Sequence, residues 1–180
     1  KKIWNISSNK WEAIEENIVT QYNFGLESNG ISNVEIIDGS LLLNSTGSGW
    51  FSIVHDPWRP FPGEGGHLGP NPGMFDRYIF DKRLDIGVFQ TNSLQEDLQF
   101  SGIPIIETLV KCEQTSFDIC LALSLVNKQN TIVKQFSTGF LRVKNSKINE
   151  ERECKIEMHP TNILLLKGTK LRLSISAAAY

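Results

Sequence analysis

Hydrophobic and polar positions along this chain alternate with a period of two far more often than with the helical period. Leu171-Arg172-Leu173-Ser174-Ile175-Ser176 is the cleanest instance, apolar toward a core and polar away from it. Ile119, Leu121, Leu123 and Leu125 make a second stripe of the same kind. From Gln21 onward, short runs rich in Ile, Val, Phe, Leu and Thr are separated by clusters of Gly, Asn, Ser and Pro. The pattern predicts strands near Gln21–Leu26, Leu41–Leu43, Trp50–Val54, Ile86–Thr91, Leu98–Ser101, Ile105–Cys112, Asp118–Val126, Thr131–Lys134, Thr138–Val143, Cys154–Met158 and Lys170–Ser176. Asn127-Lys128-Gln129-Asn130 reads as a tight turn between two of them. One segment departs from the pattern. Trp11, Ile14 and Ile18 lie at helical spacing, and Asn9 with Glu12 fits a capping box, so a short helix is expected over Asn9–Val19. Many short strands without strand–helix alternation predict an all-β jelly-roll β-sandwich, not a parallel α/β sheet.

Composition narrows the class without choosing a function. The 180 residues are 40% hydrophobic and 21% charged, ordinary for one globular domain and unlike a disordered chain. The formal net charge of −2 is scattered, so nothing marks a nucleic-acid surface or a membrane surface. The longest apolar runs, such as Ile163-Leu164-Leu165-Leu166, fall far short of the roughly 18 residues that span a bilayer. Cys112, Cys120 and Cys154 form no C-x-x-C pair and read as reduced thiols, although Cys112 and Cys120 could face each other across a hairpin. No signal-peptide pattern begins at Lys1, and a cytoplasmic location is the expectation. The sequon Asn44-Ser45-Thr46 would matter only in a secretory compartment.

Candidate chemistry is sparse. A serine nucleophile on a strand-to-helix elbow needs G-x-S-x-G, and the sequence contains none; Gly47-Ser48-Gly49 reads as a loop. Gly63, Gly65 and Gly66 suggest a phosphate cradle. Such a loop must open a helix, and Leu68-Gly69-Pro70-Asn71-Pro72 cannot be one. His55, His67 and His159 share no ligand spacing, and His55 beside Asp56 points away from it in an extended chain, so neither a metal nor a cofactor is expected. Trp50, Phe51, Trp58 and Phe61 suggest a sugar-stacking platform, against the ordinary reading of core and loop anchors.

The segment Asp56-Pro57-Trp58-Arg59-Pro60-Phe61-Pro62-Gly63-Glu64-Gly65-Gly66-His67-Leu68 carries three prolines and three glycines, which specify a path instead of a slack linker. It resembles a Tyr-Asp-Pro-x-x-Pro-Val-Pro run followed by Gly-Gly, with His55 in place of the Tyr. Asn9-Lys10-Trp11, Asp38-Gly39-Ser40-Leu41, Glu96-Asp97-Leu98 with Gly102, Gly139-Phe140-Leu141-Arg142, and Gly168-Thr169-Lys170-Leu171-Arg172-Leu173 with Ile175-Ser176 match further motifs in the same order. Asp76-Arg77 stands where Asp-Gln is common. Together these resemble the C-terminal domain of the X-Pro dipeptidyl peptidase and cocaine esterase family of serine hydrolases.

The resemblance implies a galactose-binding-domain-like jelly roll over residues 20–180, preceded at 1–19 by a linker or a residual strand of an upstream hydrolase domain. It implies a serine hydrolase acting on Xaa-Pro peptides, esters or acyl groups. The nucleophile, acid and base lie upstream of the position matching Lys1, so no catalytic residue is assigned here. The partner implied is that α/β-hydrolase domain, against which Gly65, Gly66, His67 and Leu68 would form one wall of the substrate pocket. The family's chain continues past the Ile-Ser strand, so a truncated sandwich with an unpaired edge and a homo-oligomer are expected. The competing class is a stand-alone carbohydrate- or protein-binding jelly roll.

Overall fold

The computed structural model describes residues 2–5, 9–13, 21–66 and 71–177. Fourteen strands run through them: β1 (Lys2–Asn5), β2 (Lys10–Ala13), β3 (Phe24–Ser28), β4 (Ser40–Leu43), β5 (Ser48–Gly49), β6 (Phe75–Asp76), β7 (Ile86–Gln90), β8 (Leu98–Gly102), β9 (Ile105–Val110), β10 (Phe117–Val126), β11 (Val133–Val143), β12 (Arg152–Glu157), β13 (Thr161–Leu165) and β14 (Lys170–Ser176). A single 3₁₀ turn, Phe80–Lys82, precedes β7. The sheet order of the larger layer is β5-β3-β4-β7-β14-β10-β11-β6. A four-stranded sheet, β2-β1-β13-β8, and a ribbon of β9 with β12 form the other layer. The architecture is the all-β sandwich that the alternation predicts.

The core sits between the layers. Leu121 and Leu123 of β10, Leu171 and Leu173 of β14 and Phe89 of β7 meet Cys154 and Ile156 of β12 and Ile163 and Leu165 of β13. Each such aliphatic side chain contributes about 1.5–3 kcal/mol relative to exposure, which holds two sheets with few mutual hydrogen bonds together. The bulge between Leu123 and Ser124 lets β11 run unbroken through both segments expected at Thr131–Lys134 and Thr138–Val143. The Asn127–Asn130 turn forms as expected. Asn130 takes φ 56°, and Asn127 Oδ1 accepts from the amides of Thr131 and Ile132 at 2.8 and 3.0 Å.

Three expectations need correction. The helix at Asn9–Val19 is a strand where it is described: Asn9 takes φ 55° at a turn, and β2 pairs antiparallel with β1. Residues 14–19 of that expectation lie outside the described residues. Trp50–Val54 is extended but unpaired; its Phe51 ring packs edge-on against Phe89 at 5.2 Å and covers Gly87, so side-chain burial and not a ladder holds it. Gly47-Ser48-Gly49 is not a free loop: Ser48 and Gly49 pair in parallel with β3. The Ile175-Ser176 strand, β14, is flanked by β7 and β10, and the large sheet ends on β5 and β6.

A fourth difference matters for function. The polar positions of β14 do not face solvent: Arg172, Ser174 and Ser176 are buried. They lie on the outer face of the large sheet beneath three interlocked loops. The amide of Val88 donates to Ser32 O, Asn33 Nδ2 donates to Leu84 O, and Arg83 donates to Arg59 O. Phe61, Ile86 and Val88, with Ile36 and Phe80, form a second small core under this cover.

Candidate functional site

The candidate site lies where that cover ends. Cross-strand register places Ser176 of β14, Cys120 of β10 and Phe140 of β11 side by side on the outer face, with Ala122 and Thr138 one step further along. Together with Gly63, Glu64, Gly65, Gly66 and Phe61 from the loop, they line a cleft of about 210 Å³. Arg77, Gln135 and His159 also reach it.

The loop is held over the sheet at defined points. Phe61 packs edge-on against Phe80 at 5.5 Å, and the Arg77 guanidinium lies 4.6 Å from the Phe61 ring centre. Gln135 Nε2 donates to Glu64 O at 3.2 Å. Gly65 donates to Asn71 O at 3.1 Å, and Gly66 and Gly73 exchange amide–carbonyl bonds at 2.9 and 2.8 Å. Gly65 (φ 72°) has no room for a side chain, since a Cβ would lie 2.7 Å from Phe75 Cβ and 3.0 Å from Gly73 O. Here glycine is required by both backbone conformation and close approach.

A buried charge network underlies the cleft. Asp81, its side chain fully buried, accepts from Arg77 Nε at 3.1 Å, Arg172 Nη1 at 3.2 Å and Ser174 Oγ at 2.9 Å. Arg77 Nη1 donates to Gln135 Oε1 at 2.9 Å, and Arg172 Nη2 to Gln90 Oε1 at 2.9 Å. Burial holds the Arg77 guanidinium below its ordinary value, against the opposing pull of Asp81. At the rim, Thr138 Oγ1 lies 3.0 Å from His159 Nδ1, and Arg142 grips Asp118 with two bonds of 2.7 Å. The Arg142 bond is the largest cause of a lowered Asp118 carboxyl.

Of the four residues expected at a pocket wall, the structure brings Gly65 and Gly66 to this cleft. His67 and Leu68 fall outside the described residues, between Gly66 and the Gly73 that bridges to it. His55 and Asp56 make no dyad; Asp56 Oδ1 accepts from the Trp58 amide at 2.9 Å and closes its own turn. The aromatic quartet divides: Phe61 is core and Phe51 is half-buried, whereas Trp50 is 70% and Trp58 93% exposed. The anchoring reading holds for the phenylalanines alone. None of the three cysteines is in a disulfide. Among the described residues, no group of three or more His, Cys, Asp or Glu is placed to hold a metal ion, and no helix is long and apolar enough to cross a membrane. Sequence reasoning did not find Arg77, Asp81, Gln135 or Arg172. The available signal was Arg77 itself, an arginine where Gln is common.

The fold and this loop-covered sheet define a jelly-roll module whose polar chemistry is tucked under a strap. A family model for the X-Pro dipeptidyl-peptidase C-terminal non-catalytic domain matches residues 38–180, and the chain belongs to that family. No curated protein matches it significantly. Among solved structures it is similar to an aminopeptidase from the marine sediment archaeon Thaumarchaeota archaeon, with TM-score 0.75 and 16% identity over 99% of this chain. It is similar to an α-amino acid ester hydrolase with TM-score 0.73 and 16% identity, again over 99% of this chain. A CocE/NonD family hydrolase from Staphylococcus aureus matches with TM-score 0.56 and 10% identity over 97% of it. The chain spans 33%, 33% and 32% of those three structures.

Proposed function

We propose that this chain is the module that packs on the α/β-hydrolase domain of a serine hydrolase and helps to form its substrate pocket. The observation that carries the reading is the outer-face cover, whose loops expose apolar side chains that a free-standing module has no use for. Trp58 is accompanied by Ile37 (81% exposed), Val54 (83%) and Ile79 (75%), all on or beside the three interlocked loops. Apolar surface of this kind marks an interaction face. Family membership supports this occupant, since the matching family is described as a C-terminal non-catalytic domain.

The Gly65-Gly66-His67-Leu68 stretch is the part of the module proposed to reach the pocket. Two positive-φ glycines let its backbone approach a neighbour closely, and His67 and Leu68 add one polar and one apolar contact. The bond cleaved is that of a peptide after Xaa-Pro, an ester or an acyl group. The test is Leu68→Ala in the protein that carries both domains. Its kcat/KM should fall more for bulky than for small acyl groups, by roughly 1–2 kcal/mol of transition-state binding. Uniform kinetics across acyl sizes, with stability unchanged, removes the loop from the pocket.

A second reading rests on the exposed Trp50 and Trp58: a carbohydrate-binding jelly roll stacks sugars on such rings. A soluble oligosaccharide that quenches tryptophan fluorescence, with the quench lost in Trp58→Ala, would favour it.

A further inference from the structure

We propose that the cleft over Arg77 is a receptor for the carboxylate of a compact, apolar organic acid. The argument starts from charge. Beneath the cleft two guanidinium groups, Arg77 and Arg172, share the single carboxylate of Asp81, and all three side chains are at most 6% exposed. A buried cation without its own counter-ion is costly, and a second anion relieves that cost. Arg77 is the member of the trio that lines the cleft. Its Nε and Nη1 are committed to Asp81 and Gln135, and no described acceptor takes Nη2. The two N–H donors of Nη2 therefore remain for a ligand oxygen.

The other walls specify the rest of the ligand. Phe61, Phe140, Leu121, Ala122 and Cys120 give the cleft a mainly apolar lining. At about 210 Å³ it is a little larger than the roughly 150 Å³ cavity that admits benzene, so one ring or a short branched chain fits. Thr138 and the loop backbone supply short-range polar contacts at its side. The charged groups nearby are otherwise engaged: Glu64 accepts from Asn71 Nδ2 at 2.8 Å, and Asp118 is held by Arg142. No carboxylate among the described residues reaches Arg77 from the open side. An acid whose apolar body fills the cleft and whose carboxylate meets the Arg77 edge matches both features. Every residue this argument uses belongs to this chain, and the site does not depend on the docking role, so its failure would leave that proposal standing.

The experiment titrates the 180-residue chain with phenylacetate, and separately with its neutral analogue phenylacetamide and with acetate. Binding is followed by two-dimensional ¹H–¹⁵N NMR, including the arginine Nε–Hε signals. Phenylacetate should shift the Gly65, Gly66 and Thr138 amides and the Arg77 Nε–Hε signal. Phenylacetamide and acetate should each bind at least about tenfold more weakly, the first lacking the charge and the second the apolar body. Arg77→Gln should abolish the response while leaving Asp81 paired with Arg172. Because that variant changes the buried network, Phe140→Asp provides a second arm; it alters an exposed side chain at the rim and should weaken phenylacetate by repulsion without touching the fold. Equal response to acid and amide, equal affinity for acetate, or undiminished binding in Phe140→Asp would each overturn the proposal, as would the absence of any shift at millimolar ligand.

Discussion

Replacing Asp81 with Asn tests the buried network directly. Asp81 has a fully buried side chain and accepts three hydrogen bonds, two of them from guanidinium groups that are themselves nearly buried. The substitution preserves shape and one acceptor oxygen but removes the only carboxylate shared by Arg77 and Arg172. Two like charges then face each other across the outer face of the sheet without neutralisation. Breaking a buried pair in this way costs about 3–5 kcal/mol. For a chain of this length that corresponds to a Tm lowered by roughly 6–20 °C. Urea unfolding should show the loss as a shifted midpoint with unchanged slope. Adding Arg172→Met to Asp81→Asn removes one orphaned cation, so the double variant should be less destabilised than the sum of the singles, by about 1–3 kcal/mol. A loss below about 1 kcal/mol for Asp81→Asn, or strict additivity in the cycle, would refute the idea that this carboxylate holds the outer face together.

Two further predictions concern titration and reactivity. Burial pushes the Cys154 thiol up, and its side chain sits in the core, so a thiol reagent should modify the partly exposed Cys112 and Cys120 in the folded chain and reach Cys154 only on unfolding; rapid labelling of all three in native buffer would contradict this. Asp38, Asp85 and Asp118 are all held below the ordinary value of 3.8, chiefly by hydrogen bonds from Ser28, Arg83 and Arg142 respectively. A depressed folded value means stability present above the unfolded value and lost as pH falls through the folded one. The unfolding free energy should therefore be flat above about pH 5 and decline below the ordinary Asp range, and a chain most stable at pH 3 would contradict the assignment.

The sandwich was legible because its inner faces obey the simplest rule. Ile119, Leu121 and Leu123 alternate with Cys120 and Ala122, and Leu171 and Leu173 with the polar Arg172 and Ser174, and the strands β10 and β14 fall where the alternation places them. The helix expectation failed because Trp11, Ile14 and Ile18 satisfy a helical spacing, while pairing with β1 decides the conformation of residues 10–13. Trp50–Val54 looked like a strand for the right hydrophobic reason and the wrong partner: the half-buried Phe51 packs on Phe89 and Gly87, with no ladder. β13 was read only as an apolar run, Ile163 to Leu166, because it is buried at Thr161 and Asn162 as well and shows no alternation there. The cleft was half legible. Gly65 and Gly66 announce a loop that needs positive φ, and they do line it. The charge network beneath it was hidden, since Arg172 and Ser174 in an alternating strand read as solvent-facing until the Phe61 and Phe80 loops are known to cover them.

The most direct measurement of the central claim mixes this chain with the α/β-hydrolase domain proposed as its partner, each purified separately. Complex formation is read by analytical ultracentrifugation, and turnover is read on activated esters and Xaa-Pro anilides. The account predicts that the chain alone reads as buffer, that the two pieces sediment together, and that the complex turns over substrate faster than the hydrolase domain alone. Turnover by the chain alone that a serine-directed inhibitor abolishes, or a hydrolase domain that neither binds the chain nor changes its rate, would contradict it.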